Sequence, residues 1–367
     1  MKESLGIYIH IPFCVRKCKY CDFLSGPAGR EVQKRYADML LTEMEQYAEL
    51  LKVRCTETIF FGGGTPSILE GTEIIRILDK LRVLGNIAED AEISIEANPG
   101  TVTKEKLQQW KHAGINRISF GLQSADNEEL KRLGRIHTWE EFEENYQLAR
   151  NCGFTNINVD LMSALPEQTV DTWRNTMEQV AVLNPEHISA YSLIIEEGTP
   201  FYESYADHPE LLPSEDAERE MYYETKAFLA SKGYERYEIS NYAKPGFECR
   251  HNLSYWERTD YLGLGLGAAS LLGNVRKSNQ TDLSEYLKGN FVGEQETLSE
   301  INAMEEYFFL GLRKMKGVDW TPYRRQYEKT VEKLMKEGLI ELEGDFLRLT
   351  ELGIDVSNYV LAEFLVE

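Results

Sequence analysis

No stretch of the chain approaches the roughly 18 uninterrupted apolar residues of a membrane-spanning helix, so none is expected. Positive charge is also short: 40 Lys and Arg stand against 61 Asp and Glu, a formal net charge of −21. A phosphate backbone needs a basic footprint, so no nucleic-acid partner is expected. The first residues lack a basic segment followed by an apolar run and a small-residue cleavage site, which leaves a cytoplasmic placement as the expectation. Cysteine is scarce, with six in 367 residues, and three of the six crowd into positions 14 to 21. That crowding excludes a disulfide scaffold and points to a metal site. What the chain does have is 42% hydrophobic residues, enough for one large α/β domain and a smaller appendage.

The first half repeats one unit, a short β-rich run, a loop and an amphipathic helical stretch. The β-runs read at residues 6–11, 58–61, 92–97, 117–121, 156–161 and 187–193, with helical patterns at 32–51, 73–84, 104–113, 139–151 and 171–183. Strands alternating with helices imply a parallel sheet with right-handed crossovers. Six such units predict an α/β fold, a partial parallel (β/α)6 barrel over residues 1–195. Beyond it, 196–213 reads as a loop excursion, 215–232 as a helix, and 234–272 as an aromatic and glycine-rich segment, all within an extension of the barrel covering 196–300. Residues 301–367 read as helices followed by two short β-runs, 339–342 and 346–349, joined at Gly344-Asp345, and a final helix. That order is winged-helix-like. Residues 300–367 carry 14 acidic and 9 basic side chains, so a packing or docking module is expected there, not a DNA reader.

The chemical signal is Cys14-Val-Arg-Lys-Cys18-Lys-Tyr-Cys21. A [4Fe-4S] cube ordinarily takes four thiolates. Three cysteines at these gaps can wrap one cube and leave one iron open for a chelating cofactor. A structural zinc site wants four ligands, usually with a second distant pair, and no such pair is present. Cys55, Cys152 and Cys249 have no partners at ligand spacing and are expected to be buried, inert thiols.

At this motif the chain resembles the radical S-adenosylmethionine (SAM) superfamily. Tyr8-Ile-His-Ile-Pro-Phe-Cys14, Phe61-Gly-Gly-Gly-Thr-Pro66, Ile95-Glu-Ala-Asn-Pro99, Ser119-Phe-Gly-Leu-Gln-Ser124, Leu133-Gly-Arg-Ile-His137 and Val159-Asp-Leu-Met162 are similar to the oxygen-independent coproporphyrinogen oxidase (HemN-like) branch. The resemblance implies a radical SAM barrel in which Cys14, Cys18 and Cys21 hold the cluster and S-adenosylmethionine completes it. It implies cofactor contacts from Tyr8, Gly63, Gly64, Thr65, Glu96, Gln123, Arg135 and Asp160. The residue types suit those roles. Glycines let backbone donors approach the methionine end of the cofactor, carboxylates accept from ribose hydroxyls, and Arg135 pairs with a carboxylate. In such systems the reduced cluster passes an electron to the sulfonium and releases a 5′-deoxyadenosyl radical, while the protein binds, orients and excludes water. The run 263–267, Gly-Leu-Gly-Leu-Gly, lacks the dinucleotide spacing and is expected as a tight loop flanking the adenosine.

Two features separate the chain from the oxidases of that branch. The oxidases carry a further cysteine two places after the third, where this chain has Phe23, and an N-terminal extension that encloses the substrate, which is not expected here. In addition, His251-Asn252-Leu-Ser-Tyr255-Trp256 matches the H-N-x-x-Y-W run of the heme-chaperone (HemW-type) subgroup. That resemblance implies a carrier that binds heme and passes it to an acceptor protein, with His251 as iron ligand, Asn252 orienting the imidazole, and Tyr255 and Trp256 lying against the porphyrin. His10 is the rival histidine. An oxidase acting on coproporphyrinogen III, or another radical enzyme such as a methyltransferase, is the alternative.

Overall fold

The computed structural model describes residues 3–366. Fifteen strands are found among them: β1 Ser4–Ile11, β2 Cys55–Gly63, β3 Asn86–Ala97, β4 Arg117–Gln123, β5 Ile157–Ser163, β6 His187–Ser192, β7 Glu235–Arg236, β8 Asn241–Ala243, β9 Tyr261–Leu264, β10 Ala269–Leu272, β11 Val275–Asn279, β12 Val292–Thr297, β13 Val318–Asp319, β14 Ile340–Glu343 and β15 Phe346–Leu349. The first twelve form one sheet in the order β12-β11-β10-β9-β1-β2-β3-β4-β5-β6-β8-β7. From β9 through β1 to β6 every neighbouring pair is parallel. The expected α/β architecture of six parallel units is present.

Alternation along each strand decides which side chains face inward. Ile7, Ile9 and Ile11 of β1, Ile93 and Ile95 of β3, and Ile118 and Phe120 of β4 belong to the main apolar core, which lies against the helices. The intervening residues face the other way. Tyr8, Phe60, Glu96, Arg117, Asn158 and Ser189, one from each of β1 to β6, line a single chamber. The sheet therefore curls around a polar interior.

Several helices start where short polar side chains cap them. Thr138 and Thr169 form capping boxes at Trp139–Asn151 and Val170–Leu183, and Thr103 and Asp126 cap Lys104–His112 and Asn127–Leu133. The helix expected at 32–51 is two, Arg30–Glu45 and Ala48–Val53, because three-residue turns close at Gln46 and Tyr47. The expected loop excursion 196–213 carries a short helix, Pro200–Tyr205, while the segment 234–272 adds β7 and β8 to one edge of the sheet and β9 and β10 to the other, which β11 and β12 extend. The outermost strand, β12, is exposed at every position and carries Glu294 and Glu296, charges that discourage edge-to-edge pairing.

A second apolar core, from Met304 to Phe364, holds the C-terminal helices and the antiparallel sheet β13-β15-β14. The two expected β-runs are β14 and β15. The expected final helix is two short ones, Glu351–Asp355 and Ser357–Ala362. Among the described residues no helix is long and apolar enough to cross a membrane.

Candidate cofactor site

β1 ends at Ile11, and the chain then loops over the C-terminal ends of the parallel strands, the usual place for ligand-binding residues in α/β folds. The loop is pinned at several points. Cys14 N–H donates to Gly26 O at 3.0 Å and Lys19 N–H to Leu133 O at 3.0 Å. Arg16 Nη2 donates to Gly134 O at 2.8 Å, Thr65 Oγ1 to Cys14 Sγ at 3.4 Å, and Arg135 Nη1 to Cys18 Sγ at 3.5 Å. Cys14 is buried, while Cys18 and Cys21 are half-buried. All three thiols line one cavity of about 480 Å³. Among the described residues no three His, Cys, Asp or Glu side chains gather closely enough to hold a single metal ion. The three thiols suit the corners of a larger inorganic cluster better than one ion.

Gly63, Gly64, Thr65, Glu96, Gln123, Arg135 and Asp160 line the same cavity. The structure thus brings seven of the expected cofactor contacts into one cavity with the cysteines. Gly63 has φ +110°, and a Cβ there would strike the His10 ring. A Cβ on Gly64 would meet Phe13 O at 2.7 Å. Gly63 N–H donates to Glu96 Oε2 at 3.1 Å, which ties the end of β2 to β3. Burial, with Asp160 as the second cause, pushes the Glu96 carboxyl up to about 8. Asp160 is raised by burial too, although Asn158 Nδ2 at 2.7 Å and Ser119 Oγ at 3.3 Å donate to it. Arg135 Nη2 reaches Asn98 Oδ1 at 2.5 Å and Gly121 O, while its buried Nε has no partner. Gln123 sits just past a register shift in β4, in the left-handed region with φ +77°, and accepts from the Tyr191 hydroxyl at 2.9 Å. Bulges and strained residues of this kind gather at functional sites. Glycine clearance, an unpartnered guanidinium N–H and buried carboxylate acceptors are what a zwitterionic amino acid carrying a ribose requires.

Tyr8 and His251 lie elsewhere. They line the smaller chamber of about 250 Å³ inside the barrel, below the cofactor cavity. His251 is 1% exposed. Its Nδ1 is 2.8 Å from Thr58 Oγ1 and its Nε2 is 3.0 Å from the Tyr255 hydroxyl. Burial lowers its pKa to about 3, so the ring is neutral. The partners that orient the imidazole are Thr58 and Tyr255, not Asn252, which lines both cavities. Trp256 faces the C-terminal core, with the Arg313 guanidinium 4.5 Å from its ring centroid. His10 bonds the Tyr8 hydroxyl through Nδ1 at 3.1 Å and Leu24 O through Nε2 at 3.0 Å.

The loop 263–267 does not line the cofactor cavity, contrary to expectation. Gly265 N–H donates to buried Glu43 and Leu266 N–H to Tyr36 Oη, so this turn packs on the helix Arg30–Glu45. Cys249 is fully buried as expected, whereas Cys55 and Cys152 are half-buried. Asn98, Ser119 and Tyr191 also line the cavity. Asn98 and Ser119 fall inside motifs quoted above. Their places at the ends of β3 and in β4 were the available signal.

A model of the radical SAM superfamily matches residues 8–180, and one of the HemN C-terminal domain matches residues 298–356. The heme chaperone HemW of Escherichia coli K12 is 36% identical over 99% of this chain and 98% of its own length. That of Bacillus subtilis 168 is 35% identical over 98% and 99%. The chain belongs to the HemW family. The coproporphyrinogen III oxidase HemN of Escherichia coli, a radical SAM enzyme, superposes with a TM-score of 0.85 at 26% identity, covering 99% of this chain and 90% of its own. This HemW-family chain therefore shares the oxidase's fold, while the Escherichia coli and Bacillus subtilis relatives that match it over the full length carry the chaperone name.

Proposed function

We propose that this HemW-family protein binds heme and hands it to an acceptor protein, from a scaffold that holds a [4Fe-4S] cluster and S-adenosylmethionine. The observation that carries the cofactor part is the single cavity shared by three thiols, the glycine turn and Arg135. Cys14, Cys18 and Cys21 hold the cluster. Arg135 and the turn 63–65 receive the methionine end of the cofactor, and Glu96, Gln123 and Asp160 take its ribose. When reduced, such a cluster supplies one electron to the cofactor's sulfonium. The protein's own part is to orient the cofactor and to keep water from it.

The chaperone part rests on the full-length relatives named for that activity and on the complete run from His251 to Trp256. Iron ligation by His251 requires the Tyr255 hydroxyl to leave Nε2 and the barrel floor to open. A second seat needs no such opening. Phe23 and Ile194, 61% and 68% exposed, flank the mouth of the upper cavity beside Lys17, and so offer apolar faces with a cation for a propionate. The test is a heme titration of the cluster-bearing protein, followed by the Soret band, with His251→Ala, His10→Ala and a Phe23→Ser/Ile194→Ser double variant. Loss of the ligand signature in His251→Ala alone assigns the iron to His251. Loss of affinity in the double variant alone assigns the mouth. A parent protein that retains no heme refutes the chaperone reading. Multiple turnovers of coproporphyrinogen III would establish an oxidase instead.

A further inference from the structure

Barrel interiors of parallel strands are normally filled by branched apolar side chains. Here the inward positions are Glu92, Ser94 and Glu96 on β3, Arg117 and Ser119 on β4, Asn158 and Asp160 on β5, and His187 and Ser189 on β6. Arg117 stands out among them. It is 2% exposed, lines the 250 Å³ chamber, and its Nε has no hydrogen-bond partner. The nearby acids are already engaged. Glu92 accepts from the backbone N–H groups of Arg250 and His251, each at 3.1 Å, and Asp160 from Asn158 and Ser119. A buried guanidinium whose Nε–H has no partner is costly unless something in the chamber meets it.

We propose that this chamber is a binding site for a small, planar, monovalent oxyanion (a carboxylate or bicarbonate) seated on Arg117. The guanidinium fork matches two coplanar oxygens. At ~30 Å³ per water the chamber holds roughly eight waters, which admits a few-atom anion and excludes a porphyrin. Glu96 and Asp160, which line the same chamber, disfavour a doubly charged anion. The chamber shares Glu96, Ser119, Asp160, Ser189 and Asn252 with the cofactor cavity, so the anion enters from above and any occupant of that cavity shuts it in.

The probe is ¹³C-labelled formate, titrated into the cluster-bearing protein and followed by its NMR line width, with bicarbonate as competitor and chloride as an ionic-strength control. Saturable broadening, reversed by bicarbonate but not by chloride, is expected. Arg117→Met should weaken it at least tenfold and Arg117→Lys, which keeps the charge but loses the fork, severalfold, and S-adenosylmethionine should slow formate exchange. If the parent protein shows no saturable broadening, the chamber holds only water and the proposal fails. The same conclusion follows if folded Arg117→Lys and Arg117→Met both bind formate as the parent does. Should Arg117→Met not fold, an unchanged Arg117→Lys alone overturns the proposal.

Discussion

Arg135 serves the cluster loop and the cofactor cavity at once, since one guanidinium touches Cys18 Sγ, Asn98 and the backbone of Gly121. A hydrogen bond to a charged group is worth about 1.5–3 kcal/mol. Arg135→Ala is therefore expected to weaken S-adenosylmethionine affinity roughly ten- to a hundredfold, read as loss of the cofactor's perturbation of the reduced cluster's paramagnetic spectrum. Unchanged affinity would remove Arg135 from the site. Glu96 gives a pH signature. Its folded pKa of about 8 lies above the ordinary 4.5, so folding favours the protonated carboxyl. The corresponding stability is complete below about pH 4.5 and is lost as pH rises toward 8. Glu96→Gln, which stays neutral, should flatten that part of the profile in denaturant titrations of the cofactor-free protein between pH 5 and 9. An identical slope in both proteins would show that Glu96 titrates normally.

At the scale of elements, the helix Arg250–Trp256 plugs the lower end of the barrel, and Glu92 of β3 receives its first two N–H groups. An anion at a helix N-terminus satisfies donors that have no intrahelical partner. Removing it leaves one buried and one part-buried N–H unmet, so Glu92→Ala should destabilise the protein by about 2–4 kcal/mol, measured by urea denaturation. A loss under about 1 kcal/mol would mean that the plug is held by other contacts. This helix also marks the limit of what the sequence disclosed. The motifs at the ends of β1 to β5 were legible because hydrophobic runs of period two bring them to one edge. Where His251 lies was not legible, because its burial depends on Thr58 and Glu92, some 190 and 160 positions away. β7 and β8 have two and three residues, and β12 lacks any apolar alternation, so neither edge of the sheet had a periodic signal. Arg117 opens the run 117–121 with no signal of its own in the sequence. Only the folded sheet shows its buried Nε without a partner.

Across the whole molecule, a second apolar core packs around residues 304–364, and we propose that a C-terminal module begins at about residue 301 and joins the barrel along a seam. Two ion pairs on that seam, Lys226–Glu351 and Arg236–Glu351, involve a half-exposed carboxylate and contribute little, whereas Arg258 and Arg276 converge on the buried Glu306 at 2.9 and 2.6 Å. Further anchors are Met315 N–H on Tyr237 O at 3.0 Å and the Arg313 guanidinium over Trp256. Trp256 thus joins the barrel plug to the module. Its indole N–H is buried without a partner, so its part in the joint is its flat face. A cation over an aromatic face is worth about 0.5–2 kcal/mol, to which the lost apolar contact adds. Trp256→Ala is accordingly expected to lower the temperature at which the module separates, splitting one calorimetric transition into two. Trp256→Phe should keep a single transition near the parent's, because the face survives and no indole hydrogen bond is lost. The same pair of variants separates this mechanical role from heme contact. If Trp256→Phe keeps the single transition but loses heme, the indole touches the porphyrin; if it keeps both while Trp256→Ala loses both, Trp256 acts through the seam.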